Sequence, residues 1–456
     1  MSYLLLTIRT LVGYGLPLLM GVIIVDLLEG KKKYFLKMEK VGIGSMIGYG
    51  VQALYIFFIG LLRIKFTFLS CSLLIWIILI IGVIRLVGNS RPRLKKRDHR
   101  RSALSWKKAA LTIVLLLIFW KYLFSFSGAF LHSSYFDDTV SIWNYKAKVF
   151  YTNRSLILDP DHVDFLGGRV QKYPPGIPLF KNWVSICLGE WSEWGVNLIT
   201  FYFFAGLGLI AYGNFRSSYP WGWSIIMTYI IISVPLLSFH SFFAHVDMII
   251  GISLFAGFAY LYRWMQTGGT AVLVISAMLI GTGVFTKDEG LILMLVGFLP
   301  PLGLFLLMNI KNFKKNLCFI VLFFGVVIIW TLPWYLTKII YGFPISLPPE
   351  YRRLEFHPEV LKMMVYYIFS SGNYNILFPV AFTTILLGAK IIITSSLRYI
   401  FISWLGVFLM TIYPFIFSPF SEFIGTAFGR AVLTSVPLLT FAICLVWGRW
   451  LLDSRE

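Results

Sequence analysis

Apolar windows of about 20 residues, the length a helix needs to cross ~30 Å of hydrocarbon, recur from one end of this chain to the other. They fall near residues 10–28, 42–63, 67–87 and 109–128, then near 195–214, 221–238, 246–264, 270–286, 289–309, 317–334, 376–389, 399–416 and 431–449. About 13 such windows predict an all-α polytopic membrane protein, because lipid tolerates only backbone that satisfies its own hydrogen bonds. A mean hydropathy of +0.80, with 58% apolar and 13% charged residues, points the same way, since a soluble core cannot bury that much apolar surface. No small-residue cleavage site follows the first window, so it is expected to be a span and not a removed signal.

The net charge of +20 would suggest nucleic acid if it lay on a soluble surface. Instead, Lys31, Lys32, Lys33, Lys37 and Lys40 form one cluster between apolar windows. Arg91, Arg93, Lys95, Lys96, Arg97, Arg100, Arg101, Lys107 and Lys108 form another. Short basic loops of this kind mark the cytoplasmic side, because Lys and Arg resist translocation and favour anionic headgroups. The charge therefore implies membrane lipids as partners and no nucleic acid. Alternation from these loops puts Arg216, Arg263, Lys311, Lys314, Lys315, Lys390, Arg398 and Arg449 on the same side. It sends residues 130–194 and 335–375 to the extracytoplasmic side, with His240, His245, Asp247, Lys287, Asp288, Glu289 and Arg430. Cys71, Cys187, Cys318 and Cys444 form no CxxC pair and imply no disulfide framework.

Residues 131–183 interrupt the lipid-compatible sequence. Asp137, Asp138, Asp159, Asp161, His162 and Asp164 crowd into this stretch of a chain with only 20 acidic residues, which marks it as the expected reaction site. Val140, Trp143, Ala147 and Phe150 recur at helical spacing after Asp138, as in a helix lying at the membrane interface. Two roles fit Asp137 and Asp138: a general base for an attacking hydroxyl, or caps on the helix that starts at Thr139. His245 and Asp247 read either as two metal ligands lacking a third or as a polar helix start. The 159–164 group suggests an acidic cation loop, although its spacing fits no EF-hand. Lys287, Asp288 and Glu289 sit between two apolar windows, where charges must pair or meet a ligand. Arg430 opens the last window against the positive-inside trend. It either grips an anionic headgroup with paired donors or snorkels to the interface.

With these residues placed, the chain resembles the GT-C superfamily of membrane glycosyltransferases, which includes protein O-mannosyltransferases, oligosaccharyltransferases and the transferase that adds aminoarabinose to lipid A. The resemblance covers residues 109–449. It rests on F-D-D-T-V-S-I-W-N-Y-K-A-K from Phe136, a proline-rich turn from Tyr173 to Leu179, Ala244-His245-Val246-Asp247, the stretch from Gly281 to Gly290, and Arg430 to Pro437. The family's His before the double proline is replaced by Tyr173, and three spans precede the usual first one. The resemblance implies a GT-C-like bundle with juxtamembrane helices in its first large outer loop, a catalytic module at 109–456 and an N-terminal extension at 1–108. It implies an integral protein of the bacterial cytoplasmic membrane that transfers sugar at its extracytoplasmic face from a polyprenyl-phosphate donor to a glycan or glycolipid acceptor. Asp138, or next Asp137, would be the base; Arg430 and Lys287 would hold the donor phosphate; Lys146, Tyr173, His245, Asp247 and Glu289 would contact substrate. A divalent cation held by Asp138, His245 and Asp247 is the one cofactor left open. Two other functions fit the sequence: a flippase for a lipid-linked saccharide, and a polymerase or ligase with a pyrophosphate-linked donor, for which Arg352 and Arg353 would be further cations.

Overall fold

The computed structural model describes residues 3–88, 106–134, 138–343 and 354–453. Helices α1 (Tyr3–Glu29), α2 (Lys37–Leu61), α3 (Phe68–Gly88) and α4 (Trp106–Leu131) come first. The region after them carries a π-helical turn (Thr139–Asn144), α5 (Tyr145–Asn153) and α6 (Gly176–Leu188). There follow α7 (Glu193–Arg216), α8 (Trp221–Ile232), α9 (Pro235–His240), α10 (Asp247–Thr267), α11 (Thr270–Val284), α12 (Glu289–Met308) and α13 (Phe313–Ile340). The last five are α14 (Val360–Phe369), α15 (Leu377–Thr394), α16 (Leu397–Phe417), α17 (Ile424–Leu433) and α18 (Val436–Asp453). No strand occurs among the described residues.

Ten of these helices are long and apolar enough to cross a membrane, or eleven if α17 and α18, bent by 44°, form one broken span. The difference from about 13 lies at 221–238 and 270–286, where α8 and α11 have 12 and 15 residues. At 1.5 Å per residue they reach only about 18 and 22 Å. The chain breaks after α8 because Pro235 cannot continue a helix from Ser233 and restarts one as α9.

Helices α2, α7 and α10 form the buried centre, while α3 and α4 turn most of their apolar surface outward. Outward-facing Leu, Ile and Phe would be a liability in water and are the required surface in lipid. Along α1 and α2 the approach is close: a Cβ at Gly44 or Gly48 would strike the backbone of Val22 or Pro17. The short α6 is buried over its whole length and packs against α1, α2, α5 and α7. Helices α1, α2 and α3 therefore share one core with the rest.

The two ends of α10 define two chemically different ends of the bundle. At one end Glu39, fully buried, accepts hydrogen bonds from Arg263 Nη1 at 2.7 Å, Tyr260 Oη at 2.9 Å and the Leu36 amide at 3.0 Å. Arg263 also reaches the Tyr34 carbonyl, and Lys40 pairs with Asp26 and Glu29. Tyr262 Oη and Ser396 Oγ, 2.8 Å apart, bring the loop before α16 to the same end, as charge alternation predicts for Arg263 and Arg398. At the other end of α10, some 16 residues and about 24 Å away, lies Asp247. Of the second basic cluster, Arg91 to Arg101 lie outside the described residues.

Glu39→Ala removes the carboxylate that neutralises Arg263 and is expected to cost about 3 kcal/mol. The thermal unfolding midpoint in detergent should fall, and Glu39→Leu combined with Arg263→Met should recover most of the loss. An unchanged midpoint in the single variant would contradict this tie between α2 and α10.

Candidate functional site

Five charges brought together from four parts of the chain alternate in sign at the Asp247 end of the bundle. Asp138 directly precedes the π-helical turn, and its carboxylate makes no capping bond to that turn. Instead, Asp138 Oδ2 accepts from Arg430 Nη1 at 2.5 Å across 292 positions of sequence. The same Nη1 lies 3.3 Å from His245 Nδ1 and 3.9 Å from Asp247 Oδ2. Asp247 Oδ1 accepts from Lys287 Nζ at 3.1 Å, and Lys287 pairs again with Glu289 Oε1 at 3.1 Å. The series Asp138, Arg430, Asp247, Lys287, Glu289 is thus continuous. Asp247 is its most enclosed carboxylate, at 11% side-chain exposure, and Asp138 is more open, at 38%.

Local backbone explains how each side chain arrives. Pro235 starts α9, which ends at His240. The turn back into α10 passes through Ala244 at φ +59, a left-handed conformation that costs a residue with a Cβ about 1 kcal/mol or more. That turn points Asp247 and His245 at the same guanidinium. Thr139 Oγ1 donates to the Phe243 carbonyl at 3.1 Å and ties the Asp138 turn to this segment. Arg430 is held by its own helix, with Nε donating to the Thr426 carbonyl at 3.2 Å. The segment before α15 straps the two sides together: the Tyr374 hydroxyl donates to the Gly429 carbonyl at 2.5 Å, and the Asn373 carbonyl accepts from the Leu236 amide at 3.0 Å.

The electrostatics follow from burial and pairing. Burial lowers His245, and Arg430 adds to that effect against the opposing pull of Asp247, so a neutral imidazole can accept the Arg430 N–H at Nδ1. His240, with its ring centroid 5.0 Å from that of His245, is pushed down to about 3 by burial. Burial also works against the charge on Lys287, but Asp247 and Glu289 outweigh it and hold the ammonium well above the ordinary lysine range. Asp288 turns away from its neighbours to pair with fully buried Lys338 at 2.5 Å; burial raises it to about 6 even so.

Of the residues singled out from sequence, the structure brings Asp138, Arg430, His245, Asp247, Lys287 and Glu289 together, with the Tyr173 ring 5.8 Å from Lys287 Nζ. Lys287 pairs with Glu289, as one of its expected alternatives held, and with Asp247, but not with Asp288. Asp137 lies outside the described residues, as do Arg352 and Arg353. Lys146 does not open onto the cluster. It is fully buried, and its Nζ donates to the carbonyls of Val170 at 3.2 Å and Tyr173 at 3.1 Å. Burial pushes it down to about 7 against the pull of Asp288. It holds the turn that lays Tyr173 against Trp143, ring centroids 5.7 Å apart and nearly parallel. The acidic concentration divides between Asp138 and the 159–164 group: Asp159, Asp161, His162 and Asp164 form a separate loop with local bonds, such as the Asp164 amide to His162 Nδ1 at 3.0 Å.

Among the described residues, no group of three or more His, Cys, Asp or Glu is placed to hold a metal ion. The point that a cation would occupy between Asp138, His245 and Asp247 is taken by Arg430 Nη1. Sequence reasoning missed Lys338 and Lys181 as members of buried polar networks. Each is a single cation beside or within an apolar helix, which is the available signal. Comparison of the chain with models of known protein families gave no match, and comparison with curated proteins gave none either.

Lys146→Met leaves two carbonyls of the 170–173 turn without their donor. Tryptic cleavage at exposed Arg169 and at Lys172 in detergent should accelerate several-fold, with a stability loss of about 2 kcal/mol. Cleavage at the unaltered rate would mean that Lys146 does not hold the turn.

Proposed function

We propose that this chain is a GT-C-type glycosyltransferase that moves a sugar from a polyprenyl-phosphate donor to a glycan or glycolipid acceptor. In this reading it lies in a bacterial cytoplasmic membrane with about 13 spans, counting α8, α11 and the bent α17–α18 pair. Residues 109–456 form the catalytic module, preceded by the extension 1–108. The Asp247 end faces the extracytoplasmic side, because the lysine-rich loop at 31–40 marks the opposite end as cytoplasmic.

The observation that carries the reading is the contact between Asp138 and Arg430, which sets a carboxylate and a phosphate-binding cation against each other at one end of an apolar bundle. The donor phosphate takes Arg430 and Lys287 as partners at headgroup depth. Its isoprenoid tail has an apolar groove available between α12 and α16, about 500 Å³ and lined by Leu295, Val296, Leu299, Pro300, Leu409 and Met410. This groove starts only some 9 Å along α12 from Glu289.

Chemistry follows from a competition. Three carboxylates, Asp138, Asp247 and Glu289, face two cations, so an arriving phosphate has to displace a carboxylate. Asp138 is the more open partner of Arg430, so the phosphate takes its place on the guanidinium and leaves its carboxylate free to accept a proton. Asp138 then removes the proton of the acceptor hydroxyl, whose oxygen bonds to the anomeric carbon as the carbon–phosphate oxygen bond breaks, with inversion. The charge growing on the departing phosphate is held by Arg430 and Lys287, an interaction stronger in the transition state than before it.

A strain deleted for the gene identifies the missing sugar by mass spectrometry of its surface glycan. An Asp138→Asn allele present at normal membrane level should fail to restore it, and Arg430→Gln should lower transfer about 10²- to 10³-fold. Full restoration by Asp138→Asn would remove the proposed base. A lipid-linked saccharide flippase is the second reading, favoured by the breaks at α8–α9 and α17–α18. It predicts vesicle flipping without glycosyl transfer.

A further inference from the structure

Lys181 is a fully buried cation that the proposed chemistry does not use. It lies on α6, and its Nζ donates to Asn144 Oδ1 at 2.5 Å and Asn197 Oδ1 at 3.3 Å. Asn144 Nδ2 donates to Ser134 Oγ at 2.9 Å, and Asn197 Nδ2 donates to the same oxygen at 2.5 Å. The Ser134 amide donates to Glu193 Oε2 at 3.1 Å. Five residues from four segments are thereby closed into one network.

Its location gives it a role. Asn144 is the last residue of the π-helical turn that opens directly after Asp138, and Ser134 precedes Asp138 by four positions. The network thus grips the chain on both sides of that carboxylate. A π turn is an uncommon and poorly self-supporting conformation, so outside contacts must hold it. Thr139 fixes one edge of it through the Phe243 carbonyl; the far edge depends on Asn144. A cation inside a bundle is less stable than an apolar side chain of the same size, so this lysine stabilises a particular geometry at a cost to the fold.

We infer that Lys181, acting through Asn144, is the positioning residue that keeps the Asp138 turn in register with Arg430. Its consequence for turnover rests on the transferase reading, while its consequence for geometry does not. Lys181 touches neither the charge series nor a substrate, so its loss should lower kcat about 10²-fold, as displacements near 1 Å do, and leave the donor KM within twofold.

The test measures geometry and activity together. Spin labels at Val140→Cys on the turn and Thr426→Cys on α17, both exposed positions, report their separation by pulsed dipolar spectroscopy after the four native cysteines are replaced. The narrow distance distribution expected for the parent protein should broaden or shift in Lys181→Met and narrow again in Lys181→Gln, which keeps a donor. Lys181→Met combined with Asn144→Leu and Asn197→Leu removes both buried amides along with their donor and supplies a folded sample if the single variant does not fold. Broadening with a fall in kcat supports the inference. Broadening in a protein whose parent shows no transfer also supports it and removes the transferase reading alone. An unchanged distribution in a folded Lys181→Met or triple variant overturns it.

Discussion

The contact between Arg430 and Asp138 closes the structure at the Asp247 end of the bundle. Charges in an apolar bundle are tolerated only when their neighbours neutralise them, and here the neutralising groups come from opposite ends of the sequence. Arg430 serves Asp138 and Asp247, Asp247 serves Lys287, and Lys287 serves Glu289. Each residue is thereby paired with the next. The alternating series joins α10, α12, α17 and the Asp138 turn, elements that apolar packing alone would leave able to slide.

A second ionic knot, built on Glu39 and Arg263, stands at the opposite end of α10. Between the knots α10 is apolar and buried. The two knots differ in their chemistry: the Glu39–Arg263 pair is enclosed, whereas the other end leaves Asp138, Arg430 and Glu289 partly exposed. Openness at a charged end, combined with an apolar groove along α12, supports the proposal of an amphiphilic donor with an anionic head.

Much of this was legible in the residues. Apolar runs near hydrocarbon thickness announced the spans, and polar residues beside successive span ends had to meet if the alternation of sides was right. That logic grouped Asp138, His245, Asp247, Lys287 and Arg430 without any knowledge of packing. It did less well where apolarity had no fixed meaning. The stretches at 221–238 and 270–286 have the composition of spans but form helices of only 12 and 15 residues, because Pro235 and the Phe285–Asp288 turn end them early. Lys146 was expected to contact substrate and Lys181 was not singled out, and only tertiary contacts reveal both as buried donors to carbonyl and amide oxygens. Crowding of acidic residues in sequence did not become crowding in space, since the 159–164 loop satisfies its polar groups locally.

The central claim is that Asp138 and Arg430 are energetically coupled, and a double-mutant cycle of thermal stability measures this directly. With Asp138→Asn, Arg430→Gln and the combined variant compared in one detergent, the account predicts a coupling of about 1 kcal/mol, reduced from that of a buried pair by the partial exposure of both side chains. Strictly additive effects of the two substitutions would mean that these side chains do not meet, and the proposed site would have no basis.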